Sequence, residues 1–376
     1  MKQLSYSTSE SNRFNMNIYR GILDEIDIRN IKKEILGKEI DILIFRIKSE
    51  KVNQVSRLNK LGFPFIQTDT LVYYQMNLEN YQIKEYRNQD LEFEVLTTKE
   101  LSTLNSLVEE IFVGYTNHYD SNPYLDKKDI TDGYKEWVSS FLDTDEDKTC
   151  YLVKKSGVNA GFATVTNKDG VGEGILYGVV PSFSGMGIYS DIIRFTQNEL
   201  KAKGCKEMKV STQIQNYAVQ KVWGKEGFYL KESFATIHVN SLLSYSKLPR
   251  KSFNLKVTEE DIMAFGKLSE DYNPVHFDDN FAKKLGFDSR IAHGLTVNSI
   301  LSKYYGTEFP GKGTLFLGYQ YIFLAPIYPN EEYNVEISFM KEVKKTGLYE
   351  SLIKIKDGKG KICVISYNTL KKNITK

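Results

Sequence analysis

Between Gly172 and Phe228 the spacing of apolar positions changes repeatedly. GEGILYGVV reads as an apolar strand ending near Val180, and a turn with Ser182, Ser184, Gly185 and Gly187 follows. From about Ile188 to Lys203 the period is helical, and then come a second strand and a helix headed by Asn216. Small residues leave the N–H groups of such a turn, and the positive end of the helix behind it, open to an anion. The stretch predicts a pyrophosphate seat, although a Gly-x-Gly turn alone is common at strand-to-helix junctions.

Upstream, residues 15–78 alternate strand-like and helix-like patterns: NMNIYRGIL, LDEIDIRNIKKEILGK, IDILIFRIK, KVNQVSRLNKLGF and FIQTDTLVYYQMNL. Ile26, Ile31 and Ile35 give the first helix one apolar face, which Gly37 ends. Asp69 to Gln75 predicts a strand finishing a small subdomain, and 80–89 a polar connection. A second α/β pattern opens at Leu91, with Thr97 to Glu100 at capping-box spacing ahead of LSTLNSLVEEIF. The loop 114–130 carries His118, Tyr119, Asp120 and Asn122, residue types suited to binding or to covering a core. A helix near 132–142 and the strands CYLVKKS and NAGFATVTN, joined at Gly157, complete this part.

The charged stretch SKLPRKS marks a domain boundary. Ahead of it lie an N-terminal α/β part (1–85) and a core (86–246); behind it lies a second domain (251–376). That domain opens with the strand SFNLKVT and a helix started at Thr258 to Asp261. It continues through the helix GLTVNSILSKYY to antiparallel strands from Thr314, with a last hairpin at Asp357 to Gly360. The fold class is α+β.

With 376 residues, 41% hydrophobic, the chain is long enough for two or three cores. A net charge of +2 and the lack of a basic cluster argue against a nucleic-acid partner. Cys150, Cys205 and Cys363 are far apart and lack metal-ligand spacing, so no metal is expected and a reducing compartment fits. No apolar run reaches membrane-spanning length and no signal-peptide core is present, so the expectation is a cytoplasmic protein without a membrane partner.

Asn216-Tyr-Ala-Val-Gln-Lys-Val-Trp-Gly-Lys-Glu-Gly-Phe228 follows the second strand at close range. With the turn, the order strand, turn, helix, strand, helix resembles the GNAT acyltransferase superfamily. The resemblance implies a coenzyme A thioester as co-substrate, bound along Val179, Val180, Ser182, Ser184, Gly185, Met186, Gly187 and Ile188, with Asn216 beside the pantetheine arm. The preceding unit, with RLNKLGFPFIQTDTLVYY, is similar to the dTDP-fucosamine acetyltransferases and related sugar N-acyltransferases, which implies a nucleotide-linked amino sugar as acceptor. An unprotonated amine would attack the thioester, with backbone around Gly178 to Val180 as oxyanion donor. His118 or Asp120 would take the ammonium proton, directly or through water, while His118 serves equally as a structural donor. Two positions depart from the superfamily pattern. Ser182 stands where many members carry Gln or Arg, leaving phosphate binding to backbone amides. Trp223 replaces the tyrosine that protonates the leaving thiolate and is read as core packing; Tyr217 or Tyr189 would serve instead, or coenzyme A leaves as thiolate.

Asp271-Tyr-Asn-Pro-Val-His276-Phe-Asp278, followed by AKKLGFDSRIAHG ending at Gly294, resembles the MaoC-like (R)-specific enoyl-CoA hydratases, which have a hot-dog fold. The resemblance covers about Ser252 to Leu370. It implies that Asp271 and His276 bind a water, take its proton and deliver one to the α carbon of a trans-2-enoyl thioester. It also makes the Gly294 amide the oxyanion donor and a homodimer or larger assembly the expected state; His293 is read as structural. Together the halves would convert crotonyl-CoA to (R)-3-hydroxybutanoyl-CoA and pass that acyl group to the sugar amine. Two rivals stand beside this: a single-activity sugar N-acetyltransferase with the hot-dog domain as scaffold, and a non-catalytic acyl-CoA sensor.

Overall fold

A computed structural model describes residues 4–142, 147–245, 250–343 and 345–372. They fall into two compact units, Met1–Leu243 and Ser244–Lys376. Most of the boundary signal in the sequence, Lys247 to Pro249 included, lies outside the described residues.

The first unit starts with β1 (Ser5–Tyr6), α1 (Thr8–Phe14), β2 (Ile18–Leu23), α2 (Ile28–Gly37), β3 (Ile42–Lys48) and β4 (Phe65–Asn77). Asp27 caps α2 by accepting from Asn30 N, and Ile31 and Ile35 are its buried face. Ser49–Lys60, helical in pattern, forms 3-10 turns instead, with Leu58 alone buried. Bonds from Ile26 N to Gln54 Oε1 (3.0 Å) and from Lys51 Nζ to Asp24 O (2.9 Å) tie it to the loop before α2.

After the connection come β5 (Leu91–Val95), α3 (Leu101–Ile111), α4 (Lys127–Ser139), β6 (Lys148–Lys155), β7 (Val158–Lys168), β8 (Val171–Val179), α5 (Ile188–Ala202), β9 (Glu207–Gln213), α6 (Tyr217–Lys225) and β10 (Tyr229–Asn240). The Thr97–Glu100 capping box forms as its spacing predicts. Helix α4 begins earlier than its pattern suggested, because Asp126, in extended conformation, stands at its N-cap.

All ten strands join one sheet in the order β1-β2-β3-β10-β4-β9-β8-β7-β6-β5. Strand β10 inserts between β3 and β4, so β4 lies inside the sheet rather than closing a separate subdomain. The parallel ladder between β8 and β9 joins only Val171–Gly174 to Glu207–Val210. Beyond it, β8 follows β7 through a bulge and β9 follows β4 as far as Leu71–Gln213. The two strands therefore splay, and the turn after β8 stands at the open end.

The second unit contains β11 (Arg250–Lys256), α7 (Glu259–Ser269), α8 (Asp279–Lys284), α9 (Gly294–Thr307), β12 (Thr314–Phe323), β13 (Glu332–Val343), β14 (Leu348–Lys356) and β15 (Ile362–Lys372). Its antiparallel sheet runs β11-β13-β14-β15-β12. Val297, Leu301 and Tyr305 of α9 are buried among Val335, Ile353 and Val364 of that sheet, the hot-dog arrangement of a central helix against a curved sheet. The three cysteines are free and buried. Among the described residues no helix is long and apolar enough to cross a membrane.

Candidate active sites

At the open end of the splay, Pro181 to Phe183 make one 3-10 turn, and Gly185 and Gly187 take φ of 80° and 81°, a region that L side chains resist. Among the described residues the amides of Gly185, Met186, Gly187 and Ile188 donate to no protein acceptor, and Gly187 caps α5 without side-chain help. Four free amides at a helix start fit a diphosphate. Ser182, Ser184 and Met186 are exposed around them, and Val179 and Val180 lead into the turn.

A cationic side chain from another element stands near the turn. Arg87, in the segment between β4 and β5, lies with its Cδ 3.9 Å from where a Cβ on Gly187 would stand. The buried Asp191 carboxylate in the first turn of α5 holds this segment, accepting from Arg87 N (2.8 Å), Asn88 N (3.1 Å) and Asn88 Nδ2 (2.8 Å). Arg87 was not among the positions expected from the sequence. Its signal was Asp191, a charge on a helix face otherwise spaced for burial.

Asn216 heads α6 as expected, although its side chain donates to Thr212 Oγ1 (3.1 Å) rather than capping the helix. Trp223 is buried against Tyr74 and Phe228, the packing role its position suggested. Tyr217 is exposed; Tyr189 is half-buried against the Trp223 cluster, and burial pushes its phenol pKa up.

A cleft of about 760 Å³ extends from β2 and β3 across the sheet to the splay. His118 lines it; Asp120 does not, and its carboxylate accepts instead from Asn117 N at 2.8 Å inside the loop. Glu173 on β8 also lines the cleft, beside the splay. Burial raises its carboxyl pKa, and the Lys209 charge offsets part of that rise. An acid between two glycines in an apolar strand was the signal for Glu173. The glycine after it has its own reason, since a Cβ on Gly174 would overlap the Tyr177 hydroxyl.

In the second unit Glu270, at φ 59°, ends α7 and turns the chain into Asp271. Asp271 Oδ1 accepts from Asn273 N (3.1 Å), Asn273 Oδ1 accepts from Val275 N (3.3 Å), and Pro274 begins a single 3-10 turn ending at His276. His276 Nδ1 donates to Ile291 O at 2.8 Å, because a carbonyl only accepts. The neutral ring therefore keeps its lone pair on Nε2. Burial lowers the His276 pKa, with the Ile291 carbonyl working against the shift. His293 Nε2 donates to the Asp271 carbonyl at 3.1 Å, and its Nδ1 is buried without a partner among the described residues. Asp271, His276 and His293 each place a donor atom within 4.8 Å of the others, a set able to hold a water or an ion. The Gly294 amide, first in α9, has no protein acceptor among the described residues.

Residues 245–356 match the MaoC like domain family, and residues 105–228 match the Acetyltransferase (GNAT) family. Over 86 residues the chain is 37% identical to the (R)-specific enoyl-CoA hydratase of Aeromonas caviae, covering 22% of this chain and 64% of that protein. Over 72 residues it is 33% identical to the 3-hydroxybutyryl-CoA dehydratase of Methylorubrum extorquens, covering 19% and 46%. The chain thus spans less than two thirds of the length of these relatives. The solved (R)-hydratase of A. caviae involved in PHA biosynthesis aligns at 26% identity with a TM-score of 0.32, over 34% of this chain and 96% of that one. The protein carries a GNAT domain and a MaoC-like domain.

Proposed function

We propose that the protein is an acyl-CoA-dependent N-acyltransferase for a nucleotide-linked amino sugar, and that its hot-dog domain makes the acyl donor. The observation carrying the first half is that the cleft is lined by Glu173, Ile175 and Leu176 of β8 and by Ser211, Thr212 and Gln213 of β9, where the two strands part ahead of the turn. A thioester held there lies beside Glu173. The ammonium proton of the acceptor passes to Glu173, directly or through water. The amine nitrogen then bonds to the thioester carbon, and backbone around Gly178 to Val180 takes the oxyanion. Collapse of the adduct breaks the C–S bond, the second proton of the nitrogen passes to water, and coenzyme A leaves as thiolate.

In the second domain, the His276 Nε2 lone pair takes a proton from a water held with Asp271. The water oxygen bonds to C3 of the enoyl thioester, and charge on the carbonyl oxygen meets the Gly294 amide at the helix start. The proton goes to C2. Acid–base work of this kind uses the lone pairs that an ion would need, so the domain is read without a metal. The name of the Aeromonas relative supports an enoyl-CoA as substrate, and that of the Methylorubrum relative a four-carbon one. Exposed Leu315, Leu317, Tyr319 and Phe323 on β12, an edge strand, support a homodimer or larger assembly through this domain.

The test is mass spectrometry of product from a dTDP-linked 3-amino-3,6-dideoxyhexose given acetyl-CoA, crotonyl-CoA or 3-hydroxybutanoyl-CoA in parallel. A 3-hydroxybutanoyl sugar formed from crotonyl-CoA, and lost when Asp271 and His276 are replaced, supports both sites. Acetyl transfer alone returns the protein to a single-activity acetyltransferase, and coenzyme A binding without transfer to any amine makes it a sensor.

A further inference from the structure

A run of hydrogen bonds behind the cleft fixes what His118 offers to a ligand. Tyr124 N donates to Asn122 Oδ1 at 3.2 Å, which turns the Asn122 amide nitrogen toward Asn240 Oδ1 (2.9 Å) and His238 Nδ1 (3.0 Å). An amide nitrogen only donates, so His238 Nδ1 is a lone pair and its proton sits on Nε2. That proton goes to His118 Nδ1 at 2.9 Å. Burial holds both rings neutral by lowering their pKa values. The remaining proton of His118 is therefore on Nε2, which takes no part in these bonds. His118 presents a donor to the cleft, not the base that the sequence allowed.

Three guanidinium groups line the same cleft, and Arg13 is already paired with Glu136 at 2.6 Å. Arg46 on β3 makes no ion pair among the described residues: it reaches Tyr73 Oη at 3.4 Å, and its Nε is buried without a partner. Asp69 is the carboxylate whose charge bears on it, and burial raises the Asp69 pKa. Arg20 on β2 has Glu10 at 3.4 Å, a carboxylate that also accepts from Ser7 Oγ and Tyr119 Oη. The charges of both arginines act on His118, so the three groups are neighbours. A part-buried guanidinium such as Arg46, with no carboxylate in contact, is costly, and a phosphate or carboxylate answers it in bidentate fashion.

We propose that Arg20, Arg46 and His118 form an anion subsite that holds the phosphate of the acceptor, a deepening that rests on the acyltransferase reading above. Strands β3 and β8 are four positions apart in the sheet, roughly 19 Å at the usual strand spacing. The side chains close much of that gap, since Tyr73 on β4 meets Arg46 at 3.4 Å and also feels the Glu173 charge, so an acceptor with its amine at Glu173 and a phosphate at Arg46 bridges less than the strand spacing.

The test is calorimetric titration of the full chain with inorganic pyrophosphate, with coenzyme A saturating so that the turn after β8 is filled. KM is measured in parallel for a dTDP-linked amino sugar and for the same sugar without the nucleotide. The expected result is pyrophosphate binding weakened about tenfold or more in Arg46→Gln, consistent with a charged hydrogen bond, and less in Arg46→Lys. KM should rise for the nucleotide sugar only. A uronic acid competing better than pyrophosphate would identify the anion as a carboxylate and overturn the phosphate assignment. Amines acylated with equal KM by wild type and both folded variants would overturn the subsite and leave the acyltransferase reading standing. Arg46-dependent pyrophosphate binding with no amine acylated would do the reverse.

Discussion

His276 and His293 lie with their rings stacked, centroids 3.9 Å apart and planes 30° from parallel, and each gives its proton to a main-chain carbonyl. The bond to Ile291 leaves a lone pair on His276 Nε2, the atom proposed as base. Burial is the largest influence on this ring and disfavours its charged form, so its pKa lies below 6.5. Crotonyl-CoA hydration should therefore hold its rate as pH falls to about 6.5 and decline only below that. His276→Ala should lose about 10²- to 10⁴-fold in kcat. Initial rates from about pH 5 to 9 check both, and a decline starting above 6.5 would contradict the assignment.

Glu173 is pushed the other way. Its raised pKa keeps a fraction protonated further up the pH scale, so N-acyl transfer should show an acidic limb above the ordinary carboxyl range, with activity growing as the group ionises. Glu173→Gln should lower kcat by about 10²-fold or more and remove that limb. Asp120→Asn should leave the profile unchanged, since Asp120 holds the loop rather than facing the cleft. Profiles of the three proteins with one amine acceptor decide it.

Arg87 offers a test of the coenzyme A seat that leaves the fold alone, because its side chain is exposed while its backbone amide is what binds Asp191. Arg87→Ala should raise KM for acyl-CoA about 3- to 10-fold with kcat nearly unchanged, the loss of one charge-assisted contact to phosphate. Gly187→Ala should do worse, since φ of 81° costs an L residue about 1–2 kcal/mol.

These sites were unequally legible in the sequence. The Asp271–His276–Gly294 set could be read from the chain because one short segment carries the first two residues and the helix start is close behind. The turn at 182–187 was likewise local. Arg87 and Glu173 were not read, because their meaning comes from partners far along the chain: Arg87 meets Gly187 through Asp191, and Glu173 meets the cleft only where β9 leaves β8. Strand order escaped for the same reason. That β10 would enter between β3 and β4 depends on pairings some 160 residues or more apart, such as Thr236 with Asp69 and with Arg46, which no local period encodes. For His118 the sequence left base and donor open, since the tautomer depends on His238 and Asn122.

The buried histidine pair makes stability depend on pH. In the unfolded chain both rings take a proton as pH falls through about 6.5. In the folded protein His238 stays neutral down to about 3, and His118 is also held well below 6.5. The unfolded state thus binds more protons across this window, and stability falls with falling pH by about 1.4 kcal/mol per unit for each ring. Urea midpoints measured at about pH 7 and 5.5 should drop, and His238→Gln should roughly halve the slope whatever its effect at pH 7. A slope unchanged in that variant would place the titration elsewhere.

Gly294 tests the oxyanion site without touching the acid–base pair. A Cβ added there would lie 2.7 Å from the Phe323 ring, closer than real contacts allow, so Gly294→Ala must displace either the ring or the start of α9. Moving the helix start moves the amide that takes the developing charge, and a misplaced donor costs about 10²- to 10³-fold in kcat. If the ring is what obstructs, Gly294→Ala combined with Phe323→Leu should recover much of that rate, because a shorter side chain leaves room for the new methyl. Failure of the double variant to recover, with both proteins folded, would show that the glycine is needed for close approach of the thioester itself. Crotonyl-CoA hydration rates of the single and double variants separate these outcomes, and N-acyl transfer from 3-hydroxybutanoyl-CoA, which needs no hydration, should be unchanged in both.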